Sequence, residues 1–159
     1  MVPLLTEWLD SSLAVRGSNS FVSTAQITLF SNSSFTAAGG TLNLSNVVSA
    51  ALSSFYVENA TVLSLPNLRE YPAGIPIYDN REFRATGVGS VLNLSSLTNV
   101  FGGVNGFGGL YIRAYAGGKV LLPGLTTVPN SYFNIFSDGQ GSQIDLPNLL
   151  NLSLIHISE

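Results

Sequence analysis

Charge is scarce in this chain. Only 9% of its 159 residues are Asp, Glu, Lys or Arg, against about 25% in an ordinary soluble domain. Six basic residues and a formal net charge of −3 cannot supply the clustered cations that a phosphate backbone demands, so nucleic acid is excluded as an expected partner. Cysteine is absent, which removes any disulfide frame and any thiolate metal centre. Histidine occurs once, at His156, so the rest of the chain holds neither a Ser-His-Asp triad nor a histidine metal site. No cofactor and no metal are therefore expected. No apolar run approaches the ~20 residues of a spanning helix, so no membrane span is expected in this segment. The opening MVPLLTEWLDSSLAV lacks the basic start and continuous apolar core of a secretory signal.

Apolar residues are plentiful at 45%, enough for a core, and they recur in a short pattern. LNLSNV (Leu42 to Val47), LSLPNL (Leu63 to Leu68), LNLSSL (Leu92 to Leu97), VLLPGL (Val120 to Leu125) and IDLPNL (Ile144 to Leu149) keep apolar residues in the first, third and sixth places. The fourth place is Ser or Pro, and the fifth is Asn, Ser or Gly. The third-place leucines Leu44, Leu65, Leu94, Leu122 and Leu146 stand 21, 29, 28 and 24 residues apart. Such periods indicate stacked units, each too small to bury its own apolar face.

Within a unit, L-x-L alternates and puts two apolar side chains on one face of a strand. Pro66, Pro123 and Pro147 have no N–H to donate and end that ladder. The sixth-place residue turns inward again, and Ala50, Tyr71, Val100 and Val128 form the next inward position. A second alternating segment precedes each copy: Phe55-Tyr-Val57, Phe83-Arg-Ala85, Leu110 to Ala114 and Phe133-Asn-Ile135, extended upstream by Leu13-Ala-Val15 and Phe35-Thr-Ala37. A glycine corner such as Gly39-Gly40 or Gly117-Gly118 separates it from the next L-x-L. Helix signals are poor, with one candidate turn or cap around Leu4 to Leu9. These patterns predict an all-β chain wound as a right-handed parallel β-helix with units of about 21–29 residues. A leucine-rich-repeat-like solenoid is the alternative. Its spacing departs, because here the next apolar residue follows L-x-L after three places and not five. Residues 1–20 read as a partial coil or cap, 21–151 as the repeats and 152–159 as a tail.

The repeats GGTLNLSNV and GSVLNLSSLTNV resemble the low-charge Gly/Ser/Asn/Leu repeats of large bacterial surface or secreted β-helix proteins. The resemblance covers about Phe21 to Asn151 and implies a fold and an extracellular or cell-surface setting, with no catalytic residues to carry over. The final LSLIHISE (Leu152 to Glu159) resembles the translation of a sequencing adapter. His156 is accordingly given no functional weight, and a natural chain is expected to continue past Asn151. An unpaired strand edge at that end would favour end-to-end self-association.

The densest polar cluster is REYPAGIPIYDNREFR. Its candidate binding residues are Arg69, Glu70, Tyr71, Tyr78, Asp79, Arg81, Glu82 and Arg84, because loops that interrupt a solenoid often carry binding. Aromatics beside Arg and carboxylates suit an extracellular glycan or a protein. DGQGSQID (Asp138 to Asp145) resembles a calcium turn but occurs once, and is read as a solvent-facing corner. The expected role is a non-catalytic structural or adhesive solenoid segment. The alternative is a fragment of a β-helix polysaccharide lyase or hydrolase, which needs acids held together. Convergence of any two of Glu58, Asp79, Glu82 and Arg84 on one groove is the feature that would separate the two, with separated, solvent-facing side chains favouring the structural role.

Overall fold

The six-residue pattern ends a strand within its first two places and folds as a turn over its last four, and that turn sets the geometry of each unit. In a computed structural model, which describes residues 5–74, 80–102, 109–129 and 132–152, the N–H of the sixth place donates to the carbonyl of the third. The pairs are Val47 to Leu44 (3.2 Å), Leu68 to Leu65 (3.3 Å), Leu97 to Leu94 (3.0 Å), Leu125 to Leu122 (3.1 Å) and Leu149 to Leu146 (3.3 Å). Pro66, Pro123 and Pro147 thus occupy the second position of a β-turn, where a fixed φ near −65° is favourable. A further copy that the leucine pattern hides is VSTAQI (Val22 to Ile27). Ile27 N–H donates to the Thr24 carbonyl at 2.9 Å, and Thr24 is 1% exposed in the place of the leucine. Its hydroxyl donates to the Asn43 carbonyl of the next unit, which satisfies the buried oxygen.

The fifth place also has a reason. Asn46 donates its side-chain N–H to the Ala25 carbonyl (2.6 Å), Asn67 to Ser45 (2.7 Å) and Asn148 to Pro123 (2.8 Å). Each bond runs to the fourth-place carbonyl of the preceding unit. At Gly124 a Cβ would meet the Ser95 carbonyl oxygen at 2.6 Å, so backbone approaches backbone where Asn would otherwise bridge.

Among the described residues the chain forms nineteen strands and no helix. They are β1 Glu7–Leu9, β2 Ser12–Arg16, β3 Phe21–Val22, β4 Leu29–Ser31, β5 Ser34–Ala38, β6 Thr41–Leu42, β7 Ser49–Ala51, β8 Ser54–Glu58, β9 Val62–Ser64 and β10 Glu70–Gly74. They continue as β11 Arg81–Thr86, β12 Val91–Asn93, β13 Asn99–Gly102, β14 Leu110–Tyr115, β15 Lys119–Leu121, β16 Thr127–Val128, β17 Phe133–Asp138, β18 Gln143–Asp145 and β19 Asn151–Leu152. Every strand-to-strand ladder is parallel and joins a strand to the third one after it. The longest sheet runs β2-β5-β8-β11-β14-β17, and the other two series, β1-β4-β7 with β10-β13-β16-β19 and β3-β6 with β9-β12-β15-β18, each divide into two sheets. Strands three apart pairing in parallel is compatible with a β-solenoid of three strands per unit. Helices, by which a leucine-rich arrangement would show itself, are lacking among the described residues. The N-terminal turn or cap expected near Leu4 to Leu9 gives way to β1, because pairing with β4 outweighs local propensity.

In-register pairing stacks like on like. Leu13, Phe35, Phe55, Phe83, Ile112 and Ile135 form one inward column. Phe35–Phe55 and Phe55–Phe83 ring centroids lie 5.7 and 5.6 Å apart. Phe133 pairs with Leu110, not with the phenylalanines, so the strand Phe133-Asn-Ile135 sits two residues off the alignment its sequence suggests. Phe30, Ala50, Tyr71, Val100 and Val128 are all buried, as their place after the turn predicts. The Tyr71 ring packs edge-on against Phe83 at 4.8 Å, and its hydroxyl donates to the Ser53 carbonyl at 2.7 Å.

Two predictions follow from this packing. Ala116 and Gly117 both have positive φ (50° and 89°), and Gly118 N–H closes the turn onto the Tyr115 carbonyl at 2.9 Å. That is a type I′ turn, whose preferred pair is Asn-Gly. Ala116→Asn should stabilise the protein by roughly 0.5–1 kcal/mol, since Asn tolerates the left-handed region better than Ala. Thermal unfolding should rise by about 2 °C, and an unchanged or lower midpoint would count against this turn. Burial, opposed by the nearby Arg81 charge and the Ser53 hydrogen bond, holds the Tyr71 hydroxyl well above the usual tyrosine range. The unfolded chain therefore releases this proton first, near pH 10. Stability from Tyr71 is complete below that pH and declines as pH rises beyond it. Tyr71→Phe should lower stability at neutral pH by about 1–2 kcal/mol through the unpaired Ser53 carbonyl, yet flatten the alkaline decline in denaturant titrations between pH 9 and 11.

Candidate functional site

The outward side chains of the six-stranded sheet gather much of the chain's limited charge. Between the two inward columns of that sheet runs an outward one: Ala14, Thr36, Tyr56, Arg84, Arg113 and Phe136. On one side of it stand Ser54, Glu82, Tyr111 and Asn134, and on the other Glu58, Thr86, Tyr115 and Asp138. The column begins with small residues and becomes cationic and aromatic from β8 onwards. Parallel pairing holds these groups at the strand spacing of ~4.8 Å.

The charges compensate one another. Arg84 lies 3.2 Å from Glu58 and 3.6 Å from Glu82, and Arg113 lies 3.2 Å from the other Glu82 oxygen. Glu82 thereby bridges two guanidinium groups. Each guanidinium also covers an aromatic ring, Arg84 over Tyr56 at 4.6 Å and Arg113 over Tyr111 at 4.7 Å from the ring centroids. The arginine side chains are about a third exposed, at 32% and 34%. Pairs this wet contribute little stability, about 0–1 kcal/mol each, so the network is better suited to orienting donors and acceptors than to holding the fold. Tyr111 packs near Tyr132, with ring centroids 6.1 Å apart. Partial burial first, and the neighbouring Tyr132 next, push the Tyr111 hydroxyl up from its ordinary value. Tyr111, Arg113, Tyr115, Asn134 and Phe136 line a shallow depression of about 390 Å³. The Tyr115 and Phe136 rings stand 5.8 Å apart on its floor.

The sequence candidates divide among three places. Glu82 and Arg84 belong to this network. Arg81 starts the same strand but turns away, donating to the Asn32 side-chain oxygen at 2.5 Å. Asn32 in turn donates to Asp10 at 2.7 Å, so Arg81 joins a polar chain along one corner. Arg69 and Glu70 are exposed on the β10 sheet beside Val48 and Asn67. The Arg69 carbonyl accepts from the Thr98 hydroxyl at 3.0 Å. Tyr71, grouped with the binding candidates by its sequence neighbours, points into the core, as its inward place in the repeat requires, and its side chain is removed from any surface contact. Tyr78 and Asp79 lie outside the described residues. Of the four groups whose convergence was the sequence criterion, Glu58, Glu82 and Arg84 do meet.

Sequence reasoning passed over Tyr56, Tyr111, Arg113, Tyr115, Asn134 and Phe136. For Tyr56, Arg113 and Phe136 the signal was present in the middle letter of F-Y-V, I-R-A and I-F-S, which with Arg84 of F-R-A make one outward column once the registers are known. Tyr111, Tyr115 and Asn134 flank that column two residues away. Among the described residues no three His, Cys, Asp or Glu side chains gather in a way that could hold a metal ion, and no helix is long and apolar enough to cross a membrane. Compared with models of known protein families, with curated proteins and with solved structures, the chain finds no match in any of the three.

Proposed function

We propose that this chain is a segment of a right-handed parallel β-helix serving as a non-catalytic structural and adhesive element of a secreted or cell-surface protein. The hand follows from the strong preference of parallel crossovers for right-handed connection. The observation that carries the reading is the uninterrupted run of inward columns through every unit, from Val15 to Phe133. No polar cleft cuts across them among the described residues. Each unit is locked to the next by backbone ladders and by the Asn46, Asn67 and Asn148 bridges, an arrangement suited to stiffness. The low charge and the Gly/Ser/Asn/Leu repeats, which resemble those of bacterial surface proteins, support the extracellular setting.

The meeting of Glu58 and Glu82 at Arg84 favours a second reading, a polysaccharide lyase or hydrolase fragment. Against it, both carboxylates face guanidinium groups and not each other across an open cleft, which a two-carboxylate hydrolase needs. Incubation with a panel of neutral and acidic polysaccharides decides between them. The structural reading expects no new reducing ends and no unsaturated products, and strand amides of all three faces protected together in hydrogen exchange. Turnover that Glu82→Gln abolishes while leaving the fold intact would establish the enzyme instead.

A further inference from the structure

We infer that the outward face of the six-stranded sheet, over β8, β11, β14 and β17, is a binding site for a neutral glycan chain. This rests on the adhesive half of the reading above and assigns its ligand class. The site residues are Tyr56, Arg84, Tyr111, Arg113, Tyr115 and Phe136.

Three properties of the face select a sugar. Half-buried aromatic rings are presented at strand spacing, Tyr115 beside Phe136 at 5.8 Å and Tyr111 beside Tyr132 at 6.1 Å. Pyranose rings carry axial C–H groups that pack on such ring faces, while their equatorial hydroxyls need donors and acceptors at the edge. Arg113 and Glu82 supply those at the border of the depression. Neighbouring strands stand ~4.8 Å apart, so a chain lying across the strands would cross successive units of the protein and meet equivalent positions in each.

Charge balance argues that the chain is neutral. Arg84 and Arg113 are matched by Glu58 and Glu82 within 3.6 Å, leaving no surplus to attract a polyanion. A protein partner fits less well. Stable protein interfaces centre on a desolvated apolar patch, and the centre here is an Arg–Glu network whose desolvation is costly. A glycan leaves that network wet at its edges and adds hydroxyls to it. The open depression, without walls to enclose a small ligand, also suits a polymer that lies across the surface.

Affinity electrophoresis in native gels tests the proposal. The probes are barley mixed-linkage β-glucan, xyloglucan, galactomannan and hydroxyethyl cellulose, with polygalacturonate and heparin as acidic comparators. The wild-type chain should be retarded by at least one neutral polymer, and equally at low and high salt, since stacking and neutral hydrogen bonds are little screened. Tyr115→Ala and Phe136→Ala should each weaken retardation roughly two- to tenfold, the range of a lost aromatic contact. Tyr115→Phe, which keeps the ring, should bind like the wild type and guards against a mere folding defect. Val62→Ala, exposed on another face, should change nothing. Retardation by none of the neutral polymers would overturn the inference, and so would retardation by the acidic ones alone with loss in salt. Equal binding by the Tyr115→Ala and Phe136→Ala variants would also overturn it. None of those outcomes touches the structural reading, which stands on exchange protection and the lack of turnover.

Discussion

Everything in this molecule depends on parallel pairing between strands three apart. A parallel ladder in register puts each side chain directly beside its equivalent in the next unit, so the chain is organised by columns and not by neighbours in sequence. Most of a column keeps to one side of the sheet, and the exceptions among the described residues, such as buried Ala114 beside exposed Ser137 on β17, are few. Phe35, Phe55 and Phe83 follow one another into the core because each fixes the environment of the next. The outward residues beside them are released from packing and free to vary, which is how Thr36, Tyr56, Arg84 and Phe136 come to share one column.

The corners make that register possible. Each unit must reverse direction with its backbone groups paired, since buried unpaired N–H and C=O groups are costly. The six-residue pattern solves this locally, with its own N–H to C=O closure from sixth to third place. It also solves it between units, through the fifth-place amide that reaches the carbonyl behind it. Another corner uses serine in the same way. Ser33 Oγ accepts from Ser11 N–H and Ser53 Oγ accepts from Ser33 N–H, both at 3.3 Å, so each hydroxyl serves the unit before its own. The scarcity of charge follows from this economy. Short uncharged side chains satisfy the corners at close range, and long ionic ones would not fit between units stacked ~4.8 Å apart.

Much of this was legible beforehand. The L-x-L repeat, the turn after it and the inward place of Ala50, Tyr71, Val100 and Val128 follow from apolar spacing alone, because burial acts on every copy alike. What resisted reading was where burial does not discriminate. Thr24 hid a repeat because a hydroxyl with a partner can replace a leucine. The register of β17 could not be read, because either alternate pair on that strand would satisfy alternation. The candidate site was sought in the long unit's loop, where charged letters are contiguous. The structure joins Glu58 to Arg84 across 26 residues and Glu82 to Arg113 across 31, pairs that only the register brings together.

The face that results has a physical logic of its own. Outward columns in a low-charge repeat default to Ser, Thr and Asn, so a run of Tyr, Arg and Glu is a departure that the fold does not require. Arg84 and Arg113 contribute little as wet ion pairs, and Tyr115 and Phe136 leave apolar surface in water that burial would favour covering. Each feature taken singly is mildly unfavourable or neutral for an isolated chain. Together they keep planar rings and directed hydrogen-bond donors at fixed spacing before any ligand arrives. That preorganisation removes the ordering cost that a loop-borne site of the same residues would incur on binding. On the proposed reading, parallel ladders of this kind and a glycan chain would each present their groups at a regular interval.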